Sequence, residues 1–430
     1  MKTDQIQKVH KDWYKLDLSA IVYPTLQRRD FSSVYRLSVL LKEAIDPEIL
    51  QRAVNLTMPR FPTYKAAIRK GVFWRYLEPN DRPGPFVQED VKNPCQPMHF
   101  KGNNRYLVRI YYYRNRIALE AHHSLGDGTG GMCVLQTLTA TYLRLKGHSE
   151  IENGGFVLDI LGIPDPGELE DAYMKYANAK VCPPRPGEKT YRVRGTKEPF
   201  YTLNIIDGIM SVSEVMQVAK SYNATITEYL NSVLLYALMQ KQESEWHWKL
   251  RPVKIAMPVN LRRFFPSRTL RNFITMIYPG IDPRLGEYTF EEIVTQVHNY
   301  MRYYLNEKLL RGDITTNAET QRNPFIRIVP LFIKDLVVRQ FYTKIQDKNS
   351  SAGLTNMGAL KVPETMKPYI ERFDIYMGQP FSTRTNCAIA SFEDILTINF
   401  ASSIAETDVE RLFFRKLVQD GIHVKIESNR

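Results

Sequence analysis

The sequence predicts an α/β protein of two domains, each a mixed β-sheet flanked by helices. The chain has 430 residues, which is more than one hydrophobic core usually serves, so two domains of roughly 200 residues each are expected. Helix and strand patterns alternate, and the order of a hairpin, a loop and a helix occurs once in each half. A stretch rich in prolines and charges, residues 165–199, separates the halves. We therefore predict an N-terminal domain over 1–180 and a C-terminal domain over 181–430.

Three segments of the N-terminal half have clear secondary-structure patterns. Residues 46–58 start with an aspartate N-cap, a proline at the first helical position and an early glutamate, followed by apolar residues at helical spacing, which predicts a helix. Residues 106–113 and 116–122 are rich in aromatic and branched side chains around a short polar break, which predicts a hairpin. Residues 132–146 carry apolar side chains at helical spacing, so a helix is expected to follow the hairpin.

The C-terminal half repeats this order after two helices. Capping boxes predict the starts of those helices; they are Ser211 with Glu214 and Thr225 with Glu228. The second helix, TITEYLNSVLLYALMQ, is strongly apolar and is expected to be buried. Residues 386–400 then predict a hairpin that turns at Glu393 and Asp394, and residues 409–419 predict the helix after it.

The chain carries an excess of positive charge. Its 58 Lys and Arg residues against 46 Asp and Glu give a net charge of +12, which would attract nucleic acid, a membrane surface or a phosphorylated cofactor. The basic residues are scattered, as on a solvated surface. No paired-cysteine zinc pattern, basic heptad helix or RNA-binding signature occurs. We therefore expect no nucleic-acid partner, and a small polyphosphate ligand fits the charge better.

The cysteines and the apolar segments indicate a soluble cytoplasmic protein. Cys95, Cys133, Cys182 and Cys387 lie far apart in the sequence, so neither a disulfide scaffold nor a structural zinc site is indicated. The first 20 residues lack the apolar core of a signal peptide. No segment approaches the roughly 18 unbroken apolar residues of a membrane span.

The segment 120–131, EAHHSLGDGTGG, concentrates two histidines, an aspartate and four glycines, and four interpretations are open. A metal site would need His122, His123 and Asp127 to converge, which adjacent strand positions oppose because their side chains alternate. A phosphate loop would resemble the GGDGT signature of lipid and NAD kinases. Leu125, however, replaces its first glycine, and no P-loop lysine follows. The third interpretation is a glycine turn with incidental histidines, and the fourth is general-base catalysis by an imidazole.

The residues 122–128, HHSLGDG, match the HHxxxDG motif and resemble the coenzyme A-dependent acyltransferase superfamily. This superfamily includes chloramphenicol acetyltransferase, condensation domains of nonribosomal peptide synthetases, plant acyltransferases and alcohol acetyltransferases. Residues 258–273, PVNLRRFFPSRTLRNF, and 354–363, LTNMGALKVP, are similar to segments of bacterial alcohol acetyltransferase-like proteins. With residues 13–24, WYKLDLSAIVYP, and the C-terminal hairpin and helix, the resemblance spans nearly the whole chain.

The resemblance implies two chloramphenicol acetyltransferase-like domains with an active-site channel between them. It assigns the catalytic roles to His123, as the general base in the channel, and to Asp127, which holds the loop through an arginine of the second domain. Arg262 is the candidate for that arginine, and Arg263 is its competitor. Strand alternation lets only one of the two histidines enter the channel, so His122 is expected to be structural.

Further residues are assigned through the same resemblance. Gly128 would let the chain turn tightly beside the base. Thr355, which replaces the commoner serine, or Asn356 would donate a hydrogen bond to the thioester oxygen as negative charge develops there. No G-x-S-x-G elbow occurs, which suits a direct transfer without an acyl-enzyme.

The resemblance predicts an O-acyltransferase that moves an acetyl or other acyl group from acyl-CoA to a hydroxyl. Acyl-CoA would be a co-substrate, a small alcohol or amine the acceptor, and no tightly bound cofactor or metal is expected. One alternative is condensation-type amide or ester formation with substrates bound to a carrier protein in trans. Another is a non-catalytic binding scaffold, against which the intact motif argues.

Overall fold

The computed structural model describes residues 13–27, 31–180, 188–245, 249–378 and 383–430, with the side chains of 320 and 341–348 left out. The described helices are α1 (Tyr23–Leu26), α2 (Pro47–Thr57), α3 (Gly128–Leu145), α4 (Ala172–Tyr176), α5 (Val212–Ser221), α6 (Ile226–Ser244), α7 (Phe290–Tyr304), α8 (Glu307–Arg322), α9 (Pro324–Ile328), α10 (Leu331–Asn349) and α11 (Asp408–Gln419). The described strands are β1 (Tyr14–Lys15), β2 (Val34–Leu41), β3 (Ala66–Lys70), β4 (Arg75–Pro79), β5 (Val87–Glu89), β6 (Val108–Tyr113), β7 (Arg116–His122), β8 (Asn204–Ser211), β9 (Val253–Asn260), β10 (Ile274–Ile277), β11 (Gly280–Ile281), β12 (Ala352–Ala359), β13 (Ile370–Met377), β14 (Thr385–Phe392), β15 (Ile395–Ser402) and β16 (Lys425–Ser428).

Two mixed sheets dominate the fold. The first has the strand order β13-β2-β7-β6-β5, and the second has the order β10-β9-β12-β14-β15-β8-β16 with β11 beside β9. Strand β12 runs parallel to both of its neighbours, and β5 runs parallel to β6, whereas the other pairs in these sheets are antiparallel. A small sheet of β1, β4 and β3 accompanies them. The predicted α/β class with mixed sheets and helices is confirmed.

The hairpin, loop and helix predicted in each half are present. Strands β6 and β7 turn at Arg114, and β14 and β15 turn at Glu393, each of which has a positive φ. Helices α3 and α11 follow the two hairpins. The apolar residues of α3 and α6 are largely buried, α3 in the core of the first sheet and α6 in that of the second. The repeated order therefore reflects two similar sheet-and-helix layers.

Only one of the two predicted capping boxes is reciprocal. At Thr225 the hydroxyl accepts from the Glu228 backbone nitrogen at 3.2 Å, and the Glu228 carboxylate accepts from the Thr225 nitrogen at 2.8 Å. Ser211 also caps its helix, accepting from the Glu214 nitrogen at 3.3 Å. The Glu214 carboxylate, however, binds the backbone and ring of His423. His423, which is distant in sequence, has thus taken the place of the Ser211 backbone nitrogen as the partner of the Glu214 carboxylate.

Strand β13 belongs to the second half of the sequence but completes the first sheet. It pairs antiparallel with β2 along its length, from Ile370 opposite Leu41 to Met377 opposite Tyr35. It is also tied to β15, because the Thr397 hydroxyl donates to the Phe373 carbonyl at 2.8 Å. The predicted domain boundary between residues 180 and 181 stays a prediction. Strand β13 follows that boundary in the sequence but pairs with a strand of the first half. Residues 181–187, including Cys182, lie outside the described residues.

Three other cysteines, Cys95, Cys133 and Cys387, are buried and free of disulfide bonds. Within the described ranges, no helix is both long enough and apolar enough to cross a membrane.

The start of α3 lies in very close contact with a segment of the second half. A Cβ atom at Gly130 would lie 1.9 Å from the Leu270 carbonyl oxygen and 2.8 Å from the Tyr64 hydroxyl, and one at Gly126 would lie 2.4 Å from the same carbonyl. Gly128, in contrast, begins α3 in a helical conformation, and its Cβ would meet only the Met357 sulfur, at 3.0 Å. Gly128 thus begins a helix directly after the Asp127 N-cap. The two glycines beneath Leu270 have no room for a side chain against that carbonyl.

We expect Gly130→Ala to destabilise the protein and Gly128→Ala to be tolerated. The Gly130 methyl would meet a backbone carbonyl, which cannot move aside cheaply, at a cost of about 3 kcal/mol. The Gly128 methyl would meet the flexible end of a methionine, and alanine favours a helix. Denaturant unfolding of both variants measures the difference. Equal stability of the two would contradict the close packing of the halves at Leu270.

Candidate active site

The two adjacent histidines of the motif point to opposite sides of the first sheet. His122 is the last residue of β7 and is completely buried, and its Nδ1 accepts from the Ser124 backbone nitrogen at 3.2 Å. His123 continues the ladder, since its backbone nitrogen donates to the Ser33 carbonyl at 2.8 Å. Its side chain is partly exposed. Strand alternation thus leaves His123 as the accessible imidazole.

Residues from both halves of the chain surround His123. The Tyr23 ring stacks on the imidazole with centroids 4.7 Å apart and planes 20° apart, and the Tyr35 ring lies at 4.6 Å. From the second half, the Asn272 side-chain nitrogen donates to the His123 carbonyl at 2.9 Å. His123 therefore lies where the two halves meet.

Burial keeps both imidazoles neutral at physiological pH. It lowers the pKa of His123 from 6.5 to about 4, although Asp127, the Asn272 side chain and the Gly126 backbone partly oppose this by favouring the protonated form. The pKa of His122 is lowered further, to about 3, mainly by burial and also because a proton on His122 would be repelled by positive charge on His123. A neutral imidazole has a free lone pair on one nitrogen and can accept a proton.

The Asp127 carboxylate accepts hydrogen bonds from donors of both halves, an arrangement typical of a structural residue. It caps α3, because its Oδ1 accepts from the backbone nitrogens of Thr129 at 3.1 Å and Gly130 at 3.2 Å. Its Oδ2 accepts from the Phe273 nitrogen at 2.9 Å and from Arg262 Nη1 at 2.8 Å. The carboxylate is almost fully buried. With these donors it is satisfied as an anion and acts as a bridge between the halves.

Arg262, and not Arg263, is the partner of Asp127. The second guanidinium nitrogen of Arg262 lies 3.3 Å from Asp127 Oδ1, so the contact is two-pronged. Arg262 is itself fixed by the Thr269 carbonyl, which accepts from its Nε at 2.9 Å. Arg263 is exposed and approaches Gly358 instead.

A buried aspartate supports the residue that binds the His123 backbone. Asn272 Nδ2 also lies 3.0 Å from an Asp17 carboxylate oxygen. Asp17 is completely buried, and burial raises the pKa of its carboxyl, although the nearby Arg271 opposes that shift. Asp17 also accepts from the Ala20 nitrogen at 2.8 Å. The N-terminal segment 13–24 therefore contributes both the stacking tyrosine and this anchor.

The two oxyanion candidates lie next to each other on β12 and face opposite ways. The Asn356 amide donates to the Thr227 hydroxyl at 2.8 Å and accepts from the Gly358 nitrogen at 2.7 Å, so it braces the start of α6. Thr355 shares its side of the strand with Met357, whose sulfur lies beside Gly128 at the start of α3. Of the two candidates, Thr355 lies on the side of the histidine loop.

Several residues of the site had no signal in the sequence. Tyr23, Asp17 and Asn272 lie in quoted segments, but no spacing rule connects them with His123. Only the tertiary fold brings these segments together. In the described ranges, no group of three or more His, Cys, Asp or Glu side chains is arranged to hold a metal ion.

Comparison with known proteins gives matches in structure only. No protein-family model matches the sequence, and no curated protein matches it. The TRI101 protein of Fusarium sporotrichioides, solved with coenzyme A and T-2, matches with a TM-score of 0.64 and 10% identity over 98% of this chain and 100% of that chain. TRI3, a trichothecene 15-O-acetyltransferase of the same organism, matches with a TM-score of 0.59 and 12% identity over 95% and 94%.

A condensation domain is equally similar. The starter condensation domain of rhizomide synthetase, solved with C8-CoA, matches with a TM-score of 0.59 and 13% identity over 97% of both chains. Such identities establish the fold alone. The chain has the two-domain α/β fold that coenzyme A-dependent acyltransferases share with condensation domains.

Proposed function

We propose that the protein is an acyltransferase that moves an acyl group from acyl-CoA to an alcohol hydroxyl, with His123 as the general base. The observation that carries the proposal is the His123 imidazole, partly exposed, neutral at physiological pH and held between the halves by Tyr23 and Asn272. Such an imidazole can accept a proton without first losing one. The structural neighbours that bind coenzyme A and acyl-CoA support the choice of donor.

The proposed reaction is a direct transfer. The acceptor hydroxyl gives its proton to His123 as its oxygen attacks the thioester carbonyl. The carbon–sulfur bond of the tetrahedral intermediate then breaks, and the imidazolium returns the proton to the departing thiolate. The products are an ester and free coenzyme A, and the enzyme is unchanged. Nε2 is the nitrogen suited to this exchange, because Nδ1 is buried.

Other residues have positioning roles in this proposal. Asp127 and Arg262 keep the loop of His123 against the second half, and Asn272 holds the His123 backbone. Thr355 is the proposed donor to the oxygen of the intermediate. The positive net charge of +12 suits a donor with several phosphates.

We expect His123→Ala to reduce kcat by about a hundred- to ten-thousand-fold, as the loss of a general base does. A thiol-release assay with a set of acyl-CoAs and alcohols measures this. His122→Ala is the matched control, since it removes the buried neighbour and should lower stability more than catalysis at temperatures where it is folded. Equal thiol release by wild type and His123→Ala with every acceptor would refute the proposal and favour a binding scaffold. Activity only with carrier-bound acyl groups would favour the condensation reaction.

The pH dependence gives a second test of the base. The acid limb of kcat/KM should fall with an apparent pKa of about 4, because the free enzyme must hold neutral His123. The same shift affects folding: since the pKa is lower in the folded state, the contribution of His123 to stability is lost as pH falls from 6.5 towards 4. A limb near the ordinary histidine value would show that the catalytic base is less buried than His123.

We expect Asp127→Asn and Arg262→Gln each to destabilise the fold by about 3 kcal/mol, because each leaves a buried charge without its partner. Arg263→Gln is the control and should change stability by less than about 0.5 kcal/mol. The double variant should cost less than the sum of the two. Asp127→Asn should also move the acid limb to lower pH, since Asp127 raises the pKa of His123. Unchanged thermal unfolding of Asp127→Asn would contradict the bridging role.

We expect Thr355→Val to reduce kcat by about a hundredfold, as removal of an oxyanion donor does. Valine keeps the shape of threonine, so KM and stability should change little. Thr355→Ser retains the hydroxyl and should retain most of the rate. Thr227→Val, which removes the partner of Asn356, is a control on the other side of the strand. Comparable kcat values for the Val and Ser variants would remove Thr355 from the mechanism.

A further inference from the structure

Helix α10 turns its apolar side away from the protein. Phe332 is 73% exposed and Leu336 60%, whereas Asp335 lies on the inner side. There the Asp335 carboxylate accepts from the Thr25 hydroxyl at 2.8 Å and from the Arg75 guanidinium. A surface helix of a globular protein normally buries its apolar stripe and exposes its polar one. The inverted orientation indicates that the outer side contacts something other than water.

The exposed residues continue beyond α10 as an apolar ridge. We define this ridge as Val72, Trp74, Phe325, Ile328, Phe332 and Leu336, which are between 51% and 77% exposed. Backbone contacts hold its three segments together. The Leu331 nitrogen donates to the Val72 carbonyl at 2.8 Å, and Lys334 Nζ donates to the carbonyls of Phe73 and Arg327. The ridge therefore lies on three segments that are joined to one another. Single apolar residues scattered over a surface would need no explanation, but a joined group does.

Positive charge borders the ridge. Residues 322–340 contain four cations, Arg322, Arg327, Lys334 and Arg339, and a single carboxylate, Asp335. That carboxylate is paired with Arg75, which lies outside the range. The excess of cations beside aromatic and aliphatic side chains is the composition of helices that lie in the headgroup region of a membrane.

We propose that the apolar ridge docks the protein on the surface of a bilayer containing anionic lipids. No helix of the described residues could span a membrane, so the contact would be superficial. Trp74 and the two phenylalanines suit the headgroup boundary, and the exposed Arg322 and Arg327 suit lipid phosphates and carboxylates. Lys334 and Arg339 also carry positive charge, but they already donate to backbone carbonyls of the protein. The docking is independent of the proposed acyl transfer.

Two other coverings of the ridge fit less well. Residues 1–12 contain only three apolar side chains suited to cover it, Met1, Ile6 and Val9, among mostly polar and charged residues. A second copy of the chain, packed ridge to ridge about a two-fold axis, would bring the same cations face to face, which opposes association. An anionic surface removes that repulsion.

Vesicle flotation with the full chain tests the docking. We expect wild-type protein to float with vesicles of phosphatidylcholine and phosphatidylserine, and to bind pure phosphatidylcholine vesicles less. The double variant Phe332→Asn with Leu336→Asn should lower the bound fraction about tenfold, and Arg327→Gln should weaken binding in a salt-dependent way. These side chains are exposed, so thermal unfolding should be unaffected.

Matched controls distinguish binding by the ridge from non-specific binding by other exposed apolar residues. Leu285 and Leu161 are 81% and 89% exposed on other parts of the molecule, and Leu285→Asn or Leu161→Asn should leave vesicle binding unchanged. Trp74 fluorescence, isolated by comparison with Trp74→Phe, should shift to the blue on binding. Absence of wild-type flotation with either vesicle would overturn the proposal. So would a wild-type dimer that the double variant converts to monomer without any vesicle binding, or an equal loss of binding in the Leu285 control.

Discussion

The buried contact between Asp127 and Arg262 fixes how the two halves of the chain meet. One carboxylate oxygen accepts from the start of α3, and the other accepts from Arg262 and the Phe273 nitrogen of the second half. Burying a carboxylate without such donors costs on the order of several kcal/mol of folding free energy. The Asp127 carboxylate therefore requires the donors of both halves to lie around it. The carboxylate of Asp127 is fully used in this bridge.

The environment of His123 depends on that bridge. Phe273 directly follows Asn272, so the bond that holds Phe273 on Asp127 also places the Asn272 amide at the His123 carbonyl. The close contact of Leu270 with Gly126 and Gly130 lies in the same short segment. Residues 270–273 thus bring packing, charge and hydrogen bonding together beside His123. A shift of this segment would change all three.

The sequence predicted the features that local rules determine. Strand alternation allowed only one of the two histidines into the channel, and the family resemblance selected His123. Hairpin patterns located β6, β7, β14 and β15. Pairings between distant segments do not follow from local rules, and the candidate pair of Asp127 and Arg262 came from the family resemblance. The place of β13 in the first sheet depends on its fit against β2, and the choice of Arg262 over Arg263 depends on which side of a short turn faces Asp127. The motif also does not show that the Leu270 carbonyl lies over Gly126 and Gly130, the glycines on either side of Gly128.

Helix α10 shows how far composition alone can mislead. Its sequence, LFIKDLVV, is typical of a buried helix, yet the aspartate in the middle has its partners in Thr25 and Arg75 and therefore turns inward. Because Asp335 and its partners occupy the inner side of the helix, Phe332 and Leu336 lie on the outer side. The anchor of this orientation is α1, whose Tyr23 stacks on His123. One short helix, α1, therefore contacts both α10, through Thr25, and the His123 imidazole, through Tyr23.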